Sequence, residues 1–140
     1  MELVRDLAQE WDKIPDVMVI DDEMALAKLF QQVLNSAGCN VDIATSSDEA
    51  IEKITYRGII ERPYDIIFLD LIVPPQHGPT ILKHIRDVMP EVPVVIVTGY
   101  PDSEKVKEAM RYGFFGLVKK PLDFEELKVI FSRHRIHLPK

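Results

Sequence analysis

Short apolar runs that each stop abruptly at a polar residue constrain this chain more than any other feature. Val17-Met18-Val19-Ile20 ends in Asp21-Asp22, and Ile66-Ile67-Phe68-Leu69 ends in Asp70. Val92 to Val97 ends at Thr98, and a run around Leu117-Val118 ends at Lys119-Lys120. Runs without polar alternation predict strands buried on both faces, as in a parallel sheet covered by helices. Val41-Asp42-Ile43-Ala44 alternates instead, which puts that strand at a sheet edge.

Segments with helical periodicity separate these runs. Leu26, Leu29, Phe30, Val33 and Leu34 form one stripe that stops at Gly38. Ser46 or Ser47 opens a second helix through Ala50, Ile51 and Ile54. Ile81, Leu82, Ile85, Val88 and Met89 mark a third, stopped by Pro90. Asp102 or Ser103 opens a fourth through Val106, Ala109 and Met110, ending at Gly113, and Asp123 opens a fifth through Leu127, Ile130 and Phe131. Strict alternation of strand and helix predicts a doubly wound α/β domain with a parallel sheet. It occupies residues 16–134, after an N-terminal helical extension over 1–15 and before a basic tail over 135–140. Leu3, Leu7, Trp11 and Ile14 give the extension an apolar stripe at helical spacing. That stripe packs on its own domain, makes a homodimer, or ends a connector from something upstream; these alternatives stay open.

With 140 residues the chain has the size of one domain, and 46% hydrophobic with 29% charged residues is ordinary for a soluble globular protein. A net charge of −6 argues against direct binding of nucleic acid, whose affinity rests on clustered Lys and Arg. Charged residues interrupt the N-terminus where a signal peptide would need an apolar core. No stretch approaches the roughly 20 apolar residues that cross a bilayer, so no membrane contact is expected. The single cysteine, Cys39, suits a small core residue in a reducing compartment, and the expected location is the cytoplasm.

In open parallel sheets, ligands bind outside the carboxyl ends of the strands. Asp21, Asp22, Asp70, Thr98 and Lys120 all fall there, and would converge on one pocket from four strands. Carboxylates brought close repel one another and favour entry of a cation, and oxygen ligands favour Mg²⁺, Ca²⁺ or Mn²⁺ over zinc. With the ammonium of Lys120 and the hydroxyl of Thr98, the set suits phosphoryl transfer to an aspartate.

These residues resemble the receiver domain of bacterial two-component response regulators. The resemblance spans about residues 16–134. It rests on Asp21-Asp22, Phe68-Leu69-Asp70-Leu71 followed by Pro74 and Gly78, Val97-Thr98-Gly99-Tyr100, and Lys120-Pro121. It implies a flavodoxin-like, five-stranded parallel sheet in the order 2-1-3-4-5 with five helices, beside the extra N-terminal helix. It also implies that Asp70 is the phospho-acceptor, with Mg²⁺ held by Asp21, Asp22, Asp70 and the backbone carbonyl of Ile72. Thr98 and Lys120 would bind phosphoryl oxygens, Lys120 rather than Lys119 because the family's lysine directly precedes a proline, with the bond to Pro121 cis. The chain would catalyse only its own phosphorylation and dephosphorylation. Its partners would be a sensor histidine kinase or phosphotransfer protein and a downstream protein not named by the sequence.

Three positions depart from the family pattern. His77 stands where an acid is frequent and reads as a solvated loop residue. Leu117 replaces the switch aromatic, and Tyr56 to Pro63 lengthens the connection before the third strand. His84 reads as part of the third helix's polar face. Ile72 and Tyr100, two positions after Asp70 and Thr98, offer no acid or amide to orient an attacking water, which implies a long-lived phosphoryl group. A pseudo-receiver binding module is the alternative that Leu117 keeps open. An aspartate-nucleophile phosphatase would want an acid at Ile72, and a flavodoxin would not tolerate Asp21-Asp22-Glu23 beside the flavin phosphate.

Overall fold

Strands and helices alternate along the chain in the computed structural model, which describes residues 14–123 and 125. The strands are β1 (Asp16–Ile20), β2 (Asn40–Ala44), β3 (Ile66–Asp70), β4 (Val94–Thr98) and β5 (Gly116–Lys119). Between them lie α1 (Met24–Ser36), α2 (Ser47–Ile59), α3 (Gly78–Val88) and α4 (Glu104–Ala109). Of the expected helical extension over 1–15, residues 1–13 lie outside the described residues, as does nearly all of the expected fifth helix. All pairings are parallel and the strand order is β2-β1-β3-β4-β5, the order expected.

Two-residue periodicity within apolar strands builds a core on each face of this sheet. Met18, Ile20, Ile67, Leu69 and Ile96 pack against Ile54 of α2 and Ile81, Leu82 and Ile85 of α3. Val17, Val19, Phe68, Val95 and Val97 meet Phe30 and Leu34 of α1 on the other face, where the Phe30 and Phe68 rings lie 4.8 Å apart. Every residue of β3 and β4 is buried, whereas Val41, Asp42 and Ile43 of the edge strand β2 are half-buried. Cys39 is buried in the α1-side core, and burial, helped by the charge of Asp65, pushes its thiol pKa up to about 11.

The helices follow their signals with some shifts of phase and length. In α1 the buried residues are Ala27, Phe30 and Leu34, while Leu29 is 48% exposed, so the core stripe is rotated from the expected one. Gly38 ends the helix in the left-handed region (φ 92°), a conformation that costs glycine nothing sterically. Ser46, not Ser47, caps α2 by accepting from the Glu49 amide, and Glu49 returns a bond to the Thr45 amide. The lengthened segment before β3 continues α2 to Ile59 and turns at Glu61, whose φ is 56°. His84, expected on the polar face of the third helix, is half-buried, with Nε2 2.9 Å from Thr55 Oγ1 across the α2–α3 contact.

Ser103 caps α4, which ends at Ala109 rather than running to Gly113. The next turn closes on Gly113 (φ 79°), and its carbonyls face Arg86 instead of continuing the helix. The Arg86 guanidinium donates to Tyr112 O, Gly113 O and Val92 O, tying the end of α3 to the approaches of β4 and β5. No helix among the described residues is long and apolar enough to cross a membrane.

Candidate functional site

Strands β1, β3 and β4 each end in a local turn that fixes the functional group they deliver. Asp21 follows β1, is 5% exposed, and continues the ladder by donating its amide to Ala44 O. Its Oδ1 accepts the Glu23 amide at 2.9 Å, an aspartate side chain closing the turn into α1. Asp70, the last residue of β3, is 7% exposed and its Oδ1 accepts the Ile72 amide at 2.9 Å. Thr98, the last residue of β4, is buried, and its Oγ1 accepts the Tyr100 amide at 3.0 Å. Asp22 beside them is exposed.

Lys120 reaches this cluster from the end of β5, with its amide donating to Thr98 O and its peptide bond to Pro121 cis, as expected. Its ammonium sits 2.9 Å from Asp21 Oδ2 and 2.8 Å from Asp70 Oδ2, with Glu23 Oε1 at 3.9 Å. Lys119 is exposed. The choice between the adjacent lysines therefore falls on Lys120.

The electrostatics describe a site short of positive charge. Burial is the largest influence on Asp70 and drives its pKa up, and nearby Asp21 adds to the rise. Hydrogen bonds from Lys120 and the Ile72 amide oppose that shift without cancelling it. For Lys120, burial pulls the pKa down most, yet its bonds to Asp70 and Asp21 together outweigh it and the pKa is raised. Asp21, Asp22 and Asp70 each offer a carboxylate oxygen, all within 4.8 Å of one another. One ammonium faces three carboxylates, and a hard, oxygen-seeking dication matches what is left over.

The positions that depart from the family pattern are also fixed. His77 is exposed and precedes α3 without capping it through its side chain. Leu117 packs on the α2–α3 side of the sheet with Tyr112 and Phe114, whereas Phe115 belongs to the opposite face. Ile72 and Tyr100, 46% and 68% exposed, line a cavity of about 220 Å³ beside Thr98. A residue that sequence reasoning passed over is Ser47. Fully buried, it bonds the loop after Asp70 through both its amide and its hydroxyl. The only signal for it was a loop containing Pro74-Pro75, which is poor in amide donors of its own.

The family model for the response regulator receiver domain matches residues 17–132. The chain belongs to that family. Among relatives of this receiver domain, the transcriptional regulatory protein ZraR of Escherichia coli O157:H7 is 31% identical over 122 residues, 87% of this chain and 26% of ZraR. The transcription factor SKN7 of Chaetomium thermophilum is 30% identical over 129 residues, 92% of this chain and 16% of SKN7. The receiver thus spans about a quarter or less of these curated relatives. Among solved structures, a two-component response regulator from Clostridium difficile superposes with a TM-score of 0.78 at 26% identity, covering 90% of this chain and 99% of its own. A receiver domain protein from Clostridium thermocellum gives 0.78 at 27% identity, covering 88% and 95%.

Proposed function

We propose that this receiver domain is a phosphorylation switch in which Asp70 accepts a phosphoryl group with Mg²⁺ bound beside it. The observation that carries this reading is the grouping of Asp21, Asp22 and Asp70 within 4.8 Å, with the Lys120 ammonium bridging Asp21 and Asp70. Asp21 and Asp22 would hold Mg²⁺ with Asp70 and the Ile72 carbonyl. The metal would supply charge neutralisation on the phosphoryl oxygens. An oxygen of ionised Asp70 forms the bond to phosphorus while the bond from phosphorus to the donor breaks, and the donor leaves with that electron pair. Lys120 donates to Asp70, opposing the rise that burial gives its pKa, and then pairs with a transferred oxygen. Thr98, freed from the Tyr100 amide, donates its hydroxyl to another and carries the following loop with it.

In this reading the chain acts catalytically only on itself. Its donor is a sensor histidine kinase or a phosphotransfer protein in the cytoplasm, and its output is a changed surface for a downstream protein. A coupled loop and α4–β5 face suffices for that, because a ligand that favours one of two arrangements shifts their populations. Leu117 makes this coupling one of backbone and aliphatic packing instead of ring rotation.

Intact-mass measurement after incubation with acetyl phosphate tests the reading directly. A gain of one phosphoryl group that disappears when Mg²⁺ is chelated is the expected result. Absence of any gain, with and without Mg²⁺, would reject phospho-acceptance. The apolar pair at the mouth adds a second expectation, since neither Ile72 nor Tyr100 orients a water onto the phosphorus. The purified phosphoprotein should persist for minutes or longer, and Ile72→Glu should hydrolyse about a hundred-fold faster, the lower end of what one positioned general base contributes. Decay within seconds in the unaltered protein would remove the shielding argument.

A further inference from the structure

We infer that Ser47 is a positioning residue for the metal, acting through the loop that joins β3 to α3. The inference rests on the Mg²⁺ reading of the Asp70 site.

That loop carries Ile72 away from Asp70, and its base is closed by bonding between Ile72 and His77 and by Gly78 N donating to Leu71 O at 2.9 Å. Its tip has little means of holding itself, because Pro74 and Pro75 bring no amide hydrogens. Two polar groups of the tip, Pro74 O and the Gln76 amide, go to one residue. Ser47 donates its amide to Pro74 O at 3.0 Å, and its hydroxyl oxygen accepts the Gln76 amide at 2.8 Å. The Ser47 amide belongs to the first turn of α2, where no carbonyl of the helix itself can serve it, so Pro74 O completes it. Ser47 is 0% exposed, so neither bond exchanges readily with water.

The other side of Ser47 leads to the same site. Two residues before the Ser46 cap, Ala44 O accepts the Asp21 amide at 3.0 Å. The start of α2 therefore fixes the turn bearing Asp21 through β2 and the loop bearing Ile72 through Ser47. Releasing the Ser47 hydroxyl bond loosens the loop at Gln76, leaves Pro74 O on the Ser47 amide, and keeps the Asp21 side intact. Outer partners of this kind orient ligand atoms, and their loss weakens metal binding without removing a ligand.

Calorimetric Mg²⁺ titration of the whole chain, with amide hydrogen exchange of the metal-free protein, separates this role from general stability. Ser47→Ala should bind Mg²⁺ about ten-fold more weakly and speed exchange at Gln76, while Ile20 and Leu69 keep their protection. Ser46→Ala, which removes the α2 cap but not the loop contact, should lose stability yet keep its Mg²⁺ affinity. If Ser47→Ala fails to fold, Ser47→Cys, with a weaker acceptor of similar shape, should show the same affinity loss to a smaller degree. Unchanged Mg²⁺ affinity in the Ser47 variant that folds, or an equal loss in Ser46→Ala, would overturn the inference alone. Failure of the unaltered protein to bind Mg²⁺ would overturn the metal reading and this inference with it.

Discussion

Replacing Asp70 with Asn is expected to abolish phosphoryl acceptance completely while leaving the fold at least as stable in Mg²⁺-free buffer. The first half follows from chemistry, because an amide cannot offer the oxygen nucleophile that the Asp70 carboxylate supplies. The second half follows from burial, which drives the Asp70 pKa up and so makes its ionised form unfavourable in the folded chain. A carboxyl whose folded pKa lies above its unfolded value helps the fold while protonated, below the unfolded pKa. That help is lost as pH rises through the folded pKa. Asn carries no ionised form and never incurs that penalty. Lys120 and the Ile72 amide donate to different oxygens of Asp70, at 2.8 and 2.9 Å, and the single Asn oxygen keeps one of these bonds, a loss set against the relief of the buried charge. Intact mass should show no phosphoryl gain, and the melting temperature should not fall. Mg²⁺ should raise that temperature less than in wild type, since one ligand charge is gone. A marked drop in melting temperature would mean that ionised Asp70 stabilises the fold, against the electrostatics described above.

The second large effect is structural and comes from a residue with no side chain. A Cβ on Gly78 would lie 2.3 Å from Leu71 Cα and 2.9 Å from Leu71 C, backbone atoms that cannot rotate aside. Gly78→Ala should therefore destabilise the domain by about 3 kcal/mol, the upper part of the range for overpacking a close contact. Leu71 directly follows Asp70, so the displacement falls on the segment leading to Ile72 and should weaken Mg²⁺ binding as well. Gly99→Ala is the matched control, because its added Cβ would meet nothing within 4 Å. Urea denaturation of the two variants should show a large shift of midpoint for Gly78→Ala and almost none for Gly99→Ala. Equal midpoints would mean that the loop yields cheaply.

Strand identity and the site were legible because the same positions carry both. A strand buried on both faces must be apolar throughout, so the first tolerated charge marks its carboxyl end, where such sheets place their ligands. Asp21, Asp70 and Thr98 were readable on that ground, Lys120 rather than Lys119 only from the family's lysine-proline pattern, and the edge place of β2 from its alternation. Helix phase was harder. Six of the thirteen residues of α1 are large apolar side chains, and Leu29 could be left exposed while small Ala27 took the core position. The early end of α4 was not legible, since it depends on Arg86, distant in sequence, satisfying the carbonyls of the next turn. Ser47 was hidden for a similar reason. Next to Ser46 it reads as a cap, and its partners Pro74 and Gln76 are near only once α2 and the loop have packed.

Lys120 stands 99 positions after Asp21 and 50 after Asp70, at the end of a four-residue strand that borders the sheet and pairs with β4. Three of the site's strands could stay fully formed while this border alone detached, and the detachment would withdraw the ammonium from both carboxylates. Opening of a sheet margin requires far less free energy than unfolding the whole domain. If Asp70 accepts a phosphoryl group as proposed, readiness for it would be metered by the fraction of molecules with the fifth strand seated, and anything that grips that margin would adjust the receiver's sensitivity without touching Asp70.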